Sequence, residues 1–323
     1  MNSKNPTHST LKSTLLLTLT ALIWGMGFVG QKQGMDHIGP FLFNALRSIL
    51  GAPALFAVLW ISSVISRKKE RGISQTSDPA EPHPLAFSRQ VLTGGVRCGV
   101  FLCFASITQQ IGLIGATAGK SGFLTTLYIV LVPILGIFLR KKTHWNTWTS
   151  VAIAAVGLYF LCVKAGSGFQ IAVWDIWLIV GAFFWAGHIL IVDHTVSRMS
   201  SGEVLKMCVV QFSFNALISF ILTPFIDGFF VADVFDTESI KMAMAGILYC
   251  GLVSTAAGYT LQAVGQRYAN PSAASIIMSL ESVFSVIGGF LLLGERLSPR
   301  ELIGCAVMFA AVVLAQLPER NKT

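Results

Sequence analysis

Residues 271–293 read PSAASIIMSLESVFSVIGGFLLL, an apolar run whose only charged side chain is Glu281. A helix needs about 20 apolar residues to cross about 30 Å of hydrocarbon, so this run is long enough to span a bilayer. Similar runs recur along the chain, each bounded by Gly, Pro or charged residues. Because backbone groups in lipid must form hydrogen bonds within their own segment, each run is predicted to be a helix rather than a strand.

The apolar runs predict ten spans, and together they account for most of the chain. Of the 323 residues 54% are hydrophobic and 12% are charged, whereas a soluble domain carries about 25% charged residues. Little length remains for a soluble domain, so we predict an all-α membrane protein with ten transmembrane helices. The predicted spans are 13–31, 40–63, 90–112, 117–139, 146–163, 173–192, 203–223, 240–263, 271–293 and 299–317.

The basic residues predict the orientation of the chain. The net charge is +8, but the bases lie in short clusters between apolar runs, which argues against a nucleic-acid partner. A cytoplasmic N-terminus places most bases inside, including the runs at 67–71 and 140–142. No small-residue cleavage site follows the first apolar run, so it is interpreted as an uncleaved span. We expect a multi-pass protein of the bacterial inner membrane, surrounded by lipid, with both termini in the cytoplasm.

Two halves of the chain match each other. Residues 21–25 (ALIWG) parallel residues 182–186 (AFFWA), and an offset of 154 places 140–142 on 294–296. Each half has an odd number of spans, so two similar halves must lie in opposite orientations, as in inverted-repeat transporters. The predicted organisation is a first five-helix repeat at 13–164 with a cytoplasmic loop at 66–88, a second repeat at 173–317, and cytoplasmic tails at 1–12 and 318–323.

Several motifs resemble the drug/metabolite transporter superfamily, in the branch with two tandem EamA domains. They are ALIWG at 21–25, FNALR at 43–47, TAGKSGFLT at 117–125, SLESVF at 279–284 and LLLGERL at 291–297. The resemblance implies a ten-helix fold with a central cavity lined largely by spans three, four, eight and nine. It also implies carriage of amino acids, nucleotides, sugars, amines or toxic compounds. Members often have Pro where this chain has Ser282, which leaves a kink in span nine open, and an acidic turn where this chain has three bases at 140–142.

Glu281 lies near the middle of span nine. A charge at a helix centre costs about 2.5 to 3.5 kcal/mol on insertion scales, so this side chain is expected to have a role. One interpretation is a proton-coupling carboxyl that takes up and releases a proton during transport. The other is a fixed structural partner for a buried base. The sequence leaves both open.

Three bases lie within the predicted spans. Arg47 and Lys120, toward the outer side, are candidates to bind a substrate carboxylate or phosphate. Both can instead snorkel to the interface, which the position of Lys120 favours, and Arg97 is expected to snorkel on the inner side. Three bases against one acid would make the cavity positive, which predicts an anionic group on the substrate.

The uncharged candidates for a substrate cavity are aromatic, amide, hydroxyl and imidazole side chains within the spans. Aromatic faces can stack on flat substrates or cations, although aromatic residues in an apolar chain more often serve packing. A histidine in a span can titrate near neutrality or simply be hydrogen-bonded. These candidates are Trp24, Gln109, Thr125, Tyr128, Trp185, His188, Tyr259 and Gln262.

Motifs for other chemistry are missing from the sequence. There is no HExxH, GxSxG or Walker motif and no Cys/His cluster, so no enzyme activity, metal, cofactor or ATP hydrolysis is expected. The six cysteines are interpreted as buried free thiols. The GxGxxG match at 25–30 lacks a preceding strand, so its glycines are expected to allow close helix packing, as are the small-residue pairs 95/99 and 285/289.

These observations predict a secondary transporter that works by alternating access, as a monomer or homodimer. The expected activity is export of a small polar metabolite such as an amino acid, an amine, a nucleotide-like compound or an organic acid, with protons as the candidate coupling ion. Import or antiport of the same compounds is the alternative within transport. A membrane-embedded lipid-handling enzyme, a scramblase and a structural subunit are the alternatives from other classes.

Overall fold

The computed structural model describes residues 6–71, 86–141, 145–162, 172–294 and 298–316. These residues form helices joined by short turns, and they contain no strand. The prediction of an all-α protein is confirmed for them. The described helices are α1 Pro6–Met35, α2 Pro40–Arg71, α3 Arg89–Gly115, α4 Ala118–Phe138, α5 Trp145–Cys162, α6 Val173–Val196, α7 Ser201–Ile226, α8 Thr237–Gln266, α9 Pro271–Leu293 and α10 Pro299–Gln316.

Eight of these helices, α1 to α4 and α6 to α9, contain segments long and apolar enough to cross a membrane. Helix α5 has 18 residues, and α10 holds a shorter apolar stretch at Leu302–Leu314. Large apolar side chains such as Phe104, Phe138 and Phe309 are more than half exposed. A surface of this kind is suited to lipid rather than water, which agrees with a multi-pass membrane protein.

Polar caps begin several of the helices. The Ser88 hydroxyl accepts from the Val91 backbone at the start of α3, and Ser200 forms a reciprocal capping box with Glu203 at the start of α7. Asn270 caps α9, with Pro271 in the first helical position. These caps supply acceptors for backbone N–H groups that a helix leaves unsatisfied.

Helices α1 and α2 are longer than the predicted spans. Helix α1 begins at Pro6, within the predicted tail 1–12, and α2 continues to Arg71, so the predicted loop 66–88 begins later than expected. Charged residues such as those at 67–71 are good helix formers in water, so a helix can extend beyond the membrane. The rest of that loop up to residue 85, and the predicted tail 318–323, lie outside the described residues.

Two helices are broken near their middle. Helix α4 consists of Ala118–Thr126 and Tyr128–Phe138, and α9 consists of Pro271–Met278 and Glu281–Leu293. The break in α9 forms without a proline. The hydroxyls of Ser279 and Ser282 donate to the carbonyls three residues before them, at 2.6 and 2.7 Å, and the Leu280 N–H also bonds three residues back. Such tightened bonds bend a helix, which resolves the kink that the sequence left open.

The broken helices end in matching turns. Arg140 follows α4 with φ 55°, and Gly294 follows α9 with φ 68°. The offset of 154 residues that superposes spans three to five on spans eight to ten carries Arg140 onto Gly294. A left-handed residue at the end of a helix is a common C-terminal cap, and glycine adopts it most readily. The two halves therefore share a helix break followed by a left-handed cap.

Each half packs mainly against the other half. Helix α1 contacts α8 and α9, whereas α6 contacts α3 and α4. Helix α2 packs against α7, α5 against α10, and α4 against α9. Exchanging the first five helices for the last five leaves this pattern of contacts unchanged.

Small residues allow the close helix contacts that the sequence predicted. A Cβ added to Gly25 in α1 would lie 2.6 Å from the Glu281 carbonyl, and one added to Gly122 in α4 would lie 2.4 Å from the Ser285 hydroxyl. At Gly95 in α3 it would meet Val210 at 2.5 Å. The prediction of close packing at small residues is confirmed at these positions.

Four cysteines lie inside the bundle as buried free thiols, as predicted: Cys98, Cys103, Cys208 and Cys250. A buried thiol forms only weak hydrogen bonds, so these four cysteines pack as small apolar side chains. The side chains of Cys162 and Cys305 lie outside the described part of the chain.

Candidate functional site

A cavity lies between seven of the helices, with about 430 Å³ of empty space including its opening. Both halves of the chain contribute to its wall. The lining residues are Trp24, Phe28, Gln31, Arg47, Gln109, Thr125, Tyr128, Trp185, Ile189, Ser254, Tyr259, Gln262 and Glu281.

Most of the residues that the sequence singled out lie together in this cavity. They are Trp24, Arg47, Gln109, Thr125, Tyr128, Trp185, Tyr259, Gln262 and Glu281. Their roles in binding and coupling stay predictions. The cavity also contains residues that the sequence analysis missed, among them Phe28 and Gln31. Helical periodicity could have found these two, because they follow Trp24 by four and seven positions and so share its helix face.

Three aromatic rings form one wall of the cavity. Trp24 and Trp185, which occupy matching positions in the two halves, have ring centroids 6.3 Å apart. Tyr259 lies 4.6 Å from Trp24 and 6.1 Å from Trp185. This group can bind a flat or cationic part of a ligand through its ring faces.

Both indole N–H groups are already engaged. Trp24 donates to the Ser254 carbonyl at 3.4 Å, and Trp185 donates to Gln109 Oε1 at 2.7 Å. Gln109 Nε2 donates in turn to Gln31 Oε1 at 3.2 Å. This chain of hydrogen bonds joins α6, α3 and α1 and holds Trp185 by its edge, whereas Trp24 is held by α8.

Arg47 is the basic residue of the cavity wall. Its side chain is buried, so it does not snorkel to the interface, and its Nε donates to Asn44 Oδ1 at 2.9 Å. Within the described ranges Arg47 forms no ion pair. A guanidinium with free N–H groups facing a cavity is suited to a carboxylate or phosphate.

Glu281 opens the second segment of α9 and is 3% exposed. No base of the described residues forms an ion pair with it, so the structure gives no support to a fixed structural partner. The Tyr128 hydroxyl lies next to this carboxyl. Four atoms of residues that line the cavity have no hydrogen-bond partner in the described part of the chain: Glu281 Oε1, Tyr128 Oη, Thr125 Oγ1 and Gln262 Nε2. Unpartnered buried polar atoms are costly, so the cavity is suited to a polar ligand or water.

Lys120 does not belong to the cavity, which corrects the sequence prediction. Its ammonium forms an ion pair with Asp175 at 2.7 Å, between the first turns of α4 and α6, and its side chain is 37% exposed. Arg97 is exposed on α3, as its predicted snorkelling requires. The predicted three bases against one acid are therefore reduced to one base and one acid among the residues that line the cavity.

His188 also lies outside the cavity. It is fully buried behind Trp185 and Tyr259, with ring centroids 5.7 and 6.0 Å away, and its Nε2 lies 3.2 Å from Gln211 Oε1. It follows Trp185 by three positions on α6 and turns toward α7 instead. The hydrogen-bonded interpretation of this histidine fits its surroundings.

A sequence model of the EamA-like transporter family matches residues 11–163 and 172–317. The chain belongs to the EamA-like transporter family. This membership agrees with the resemblance that the motifs indicated, and it places the chain among transporters rather than among lipid-handling enzymes. The family model matches twice, once in each half of this EamA-like transporter.

Individual relatives of this EamA-like transporter include two curated proteins. An uncharacterized transporter of Archaeoglobus fulgidus is 29% identical to it, over 95% of this chain and 86% of the relative. A protein of Salmonella typhimurium named as a probable amino-acid metabolite efflux pump is 24% identical over 94% of each chain. A solved structure, named only as the crystal structure of a protein, has a TM-score of 0.67 at 16% identity and covers 94% of this chain and 98% of its own. The similarity to this solved structure concerns the fold alone.

Proposed function

We propose that this EamA-like transporter exports amino-acid metabolites or similar small polar compounds by secondary active transport. The observation that carries the proposal is a cavity lined by one base, Arg47, and one acid, Glu281, neither of which forms an ion pair with any residue that the structure describes. An amino acid carries a carboxylate and an ammonium group, so its charges complement these two residues. The efflux-pump relative supports the same class of substrate.

Each part of the substrate has a counterpart in the cavity. Arg47 binds the carboxylate through its free N–H groups. The faces of Trp24, Trp185 and Tyr259 surround the ammonium or the side chain of the substrate. The sequence predicted an anionic group on the substrate because Lys120 and Arg97 were counted with Arg47 against one acid. Neither Lys120 nor Arg97 lines the cavity, so a zwitterion fits better.

The proposed architecture is ten transmembrane helices in two inverted repeats, in the bacterial inner membrane with both termini cytoplasmic. Its support is the pattern of helix contacts, which is unchanged when the halves are exchanged, and the matching caps at Arg140 and Gly294. Broken helices in matching positions of two halves are typical of transporter binding sites. The breaks in α4 and α9 lie beside Tyr128 and Glu281, which line the cavity.

Glu281 is the proposed site of proton coupling. Its carboxyl lies in the cavity beside the Tyr128 hydroxyl and has no base to neutralise it within the described ranges. A carboxyl can hold either a proton or a cationic group of a ligand. Exchange of a proton for a substrate at this carboxyl would couple the two fluxes.

Efflux from proteoliposomes tests the substrate class. The vesicles are loaded with labelled pools of amino acids, amines, nucleotides or organic acids, and the rate of release is measured for the wild type and for Arg47→Ala. We expect release of amino acids, lowered more than tenfold by Arg47→Ala because the carboxylate loses its partner. Arg97→Ala is the matched control, since Arg97 is an exposed base outside the cavity, and it should release amino acids at the wild-type rate.

Two outcomes of this experiment would change the proposal. Release of nucleotides or organic acids but no amino acids would contradict the zwitterionic substrate. Transport of amino acids only into the vesicles, under an opposite gradient, would replace export by import.

A further inference from the structure

Asn44 lies one helical turn before Arg47 on α2 and is fully buried. Its Nδ2 lies within hydrogen-bond distance of three acceptors: Ser106 Oγ at 3.1 Å, Asn215 Oδ1 at 3.2 Å and Ser219 Oγ at 2.8 Å. Because acceptors surround the NH₂ end of the amide, its oxygen is left to face Arg47. That oxygen accepts the 2.9 Å hydrogen bond from Arg47 Nε.

The amide of Asn44 belongs to a reciprocal contact between α2 and α7. Asn44 donates to Ser219, and Asn215 donates to Ser48, each at 2.8 Å. In both helices the serine follows the asparagine by four positions, so the four residues lie on facing helix surfaces. We name these four residues, Asn44, Ser48, Asn215 and Ser219, the Asn–Ser zipper; all four are fully buried. Hydrogen bonds between polar side chains hold membrane helices together, so the zipper fixes α2 against α7.

The zipper also determines how Arg47 faces the cavity. Arginine has one N–H on Nε and four on its two terminal nitrogens, in a rigid planar fork. Because Nε is bound to Asn44, the plane of the fork is fixed, and the terminal N–H groups have no hydrogen-bond partner in the described part of the chain. The backbone is held as well, since a Cβ added to Gly251 of α8 would lie 3.0 Å from the Arg47 carbonyl.

A fixed guanidinium binds an anion more tightly than a mobile one, because less conformational freedom is lost on binding. Asn44 itself does not line the cavity, and neither does Asn215. Any influence of Asn44 on a ligand therefore passes through Arg47.

We propose that Asn44 is the positioning residue of a carboxylate subsite, and that it aims the free N–H groups of Arg47 at the ligand. This inference rests on the proposed function, in which Arg47 binds the substrate carboxylate. It assigns a role to the FNALR motif at 43–47 that packing alone does not explain: Asn44 orients, and Arg47 binds.

The test compares Asn44→Leu with Asn215→Leu in the full-length protein. Both substitutions remove one amide of the zipper, but only the first removes the partner of Arg47. Proteoliposomes are loaded with single ¹⁴C-labelled L-amino acids, and then with the amine that each transported amino acid gives on decarboxylation. The KM and the maximal rate of release are measured, together with the unfolding temperature in detergent.

We expect Asn44→Leu to raise the KM for amino acids more than tenfold and to leave the KM for the amines within twofold. Asn215→Leu should lower the unfolding temperature by a similar amount and leave both KM values within twofold. Equal changes of KM in the two variants, or equal changes for amino acids and amines, would overturn the proposal, because a purely structural role predicts both.

Asn44→Asp is a second variant, which tests the proposal if the Asn44→Leu protein does not fold. It keeps the size of the side chain and pairs its carboxylate with Arg47, so the guanidinium is neutralised. The KM for amino acids should again rise more than tenfold, and an unchanged KM would overturn the proposal. Failure of the proposed function is distinguishable, because the wild type would then release no amino acids or Arg47→Ala would release them normally.

Discussion

Arg140 adopts a backbone conformation at the end of α4 that disfavours side chains. Its φ is 55°, whereas the matching residue of the second half is Gly294 with φ 68°. The left-handed conformation costs a residue with a Cβ roughly 1 to 2 kcal/mol, and glycine avoids most of this cost. Its neighbour Lys141 forms an ion pair with Asp193 of α6, which helps to hold the turn in place.

Replacement of Arg140 by glycine should therefore stabilise the protein. We expect Arg140→Gly to raise the free energy of unfolding by up to about 1 kcal/mol, because the relieved strain exceeds the added freedom of the unfolded chain. The measurement is thermal unfolding in detergent. Arg140→Ala keeps the Cβ and is the control, so a gain of equal size in both variants would show that strain at φ is not the cause.

Asp227, at the end of α7, shows how one side chain joins two helices. It is fully buried, and its carboxylate accepts hydrogen bonds from the backbone N–H groups of Phe41 at 3.0 Å and Leu42 at 2.6 Å. Gly39 leaves the room for this contact, since a Cβ there would lie 2.3 Å from the carboxyl carbon. Asp227 thus caps the first turn of α2 from a different helix.

Loss of this cap should destabilise the protein without affecting transport of the substrate. We expect Asp227→Ala to lower the free energy of unfolding by about 2 to 3 kcal/mol, because two buried N–H groups lose their acceptor. Asp227→Asn keeps one acceptor oxygen, so it should lower the free energy of unfolding by about half as much as Asp227→Ala. Thermal unfolding in detergent measures the loss, and the KM for the transported substrate should stay unchanged. A raised KM in Asp227→Ala would contradict a purely structural role.

At the scale of whole helices, the break in α9 contains no proline and lies where the N–H groups of Leu280 and Ser282 bond to the carbonyls three residues before them. Ser282 lies in the first turn of the segment Glu281–Leu293, where a proline is tolerated, whereas Ser285 lies one turn further on. We expect Ser282→Pro to fold and transport at close to the wild-type rate. Ser285→Pro is the matched control. It should lower the free energy of unfolding by about 3 kcal/mol or more, since it interrupts the helix interior. Detergent unfolding and efflux are the measurements, and equal damage in both variants would contradict the position of the break.

The helices could be predicted from the sequence because a bilayer demands long apolar runs, and those runs are clear in this chain. The end of α2 was predicted too early, because the charged residues 67–71 follow the apolar run. A helix can continue beyond the membrane surface, so the end of an apolar run does not mark the end of the helix. The break in α9 could not be predicted, because it depends on which carbonyls Ser279 and Ser282 contact. Sequence patterns identify spans, whereas bends within spans follow from local hydrogen bonds.

The sequence predicted most of the residues that line the cavity, but two of the predicted residues lie outside it. Charged residues within spans are costly in lipid, so Arg47 and Glu281 could be found from the sequence. Lys120 was misplaced because its partner, Asp175, lies in the other half of the chain and the pairing is a tertiary contact. His188 was misplaced for the same reason, since Gln211 of α7 engages it.

At the scale of the whole molecule, the helices group across the two halves of the sequence. Helix α6 packs against α3 and α4, and α1 packs against α8 and α9. We name these groups the first lobe (α3, α4 and α6) and the second lobe (α1, α8 and α9). The ion pairs Lys120–Asp175 and Lys141–Asp193 both join α4 to α6, within the first lobe. Alternating access would then move the two lobes, rather than the two sequence halves, about the cavity between them.

Reversible cross-links can test which groups move. Lys32 of α1 donates to the carbonyls of Leu113 and Ile114 of α3, so a reducible thiol-reactive cross-linker between Lys32→Cys and Ile114→Cys would join the two lobes. We expect the cross-linker to block efflux and a reducing agent to restore it. The same cross-linker between Lys120→Cys and Asp175→Cys lies within the first lobe and should leave efflux within twofold. Free transport with the first cross-link in place would contradict motion of the lobes.

Proton coupling at Glu281 is the central claim about the transport cycle, and substrate-dependent proton flux tests it most directly. Proteoliposomes with a trapped pH dye are given a gradient of the transported amino acid, and the pH change is compared between the wild type and Glu281→Gln. We predict a pH change with the wild type and none with Glu281→Gln, because the amide cannot take up a proton at this position. An equal pH change in both proteins would contradict the role of Glu281 in coupling.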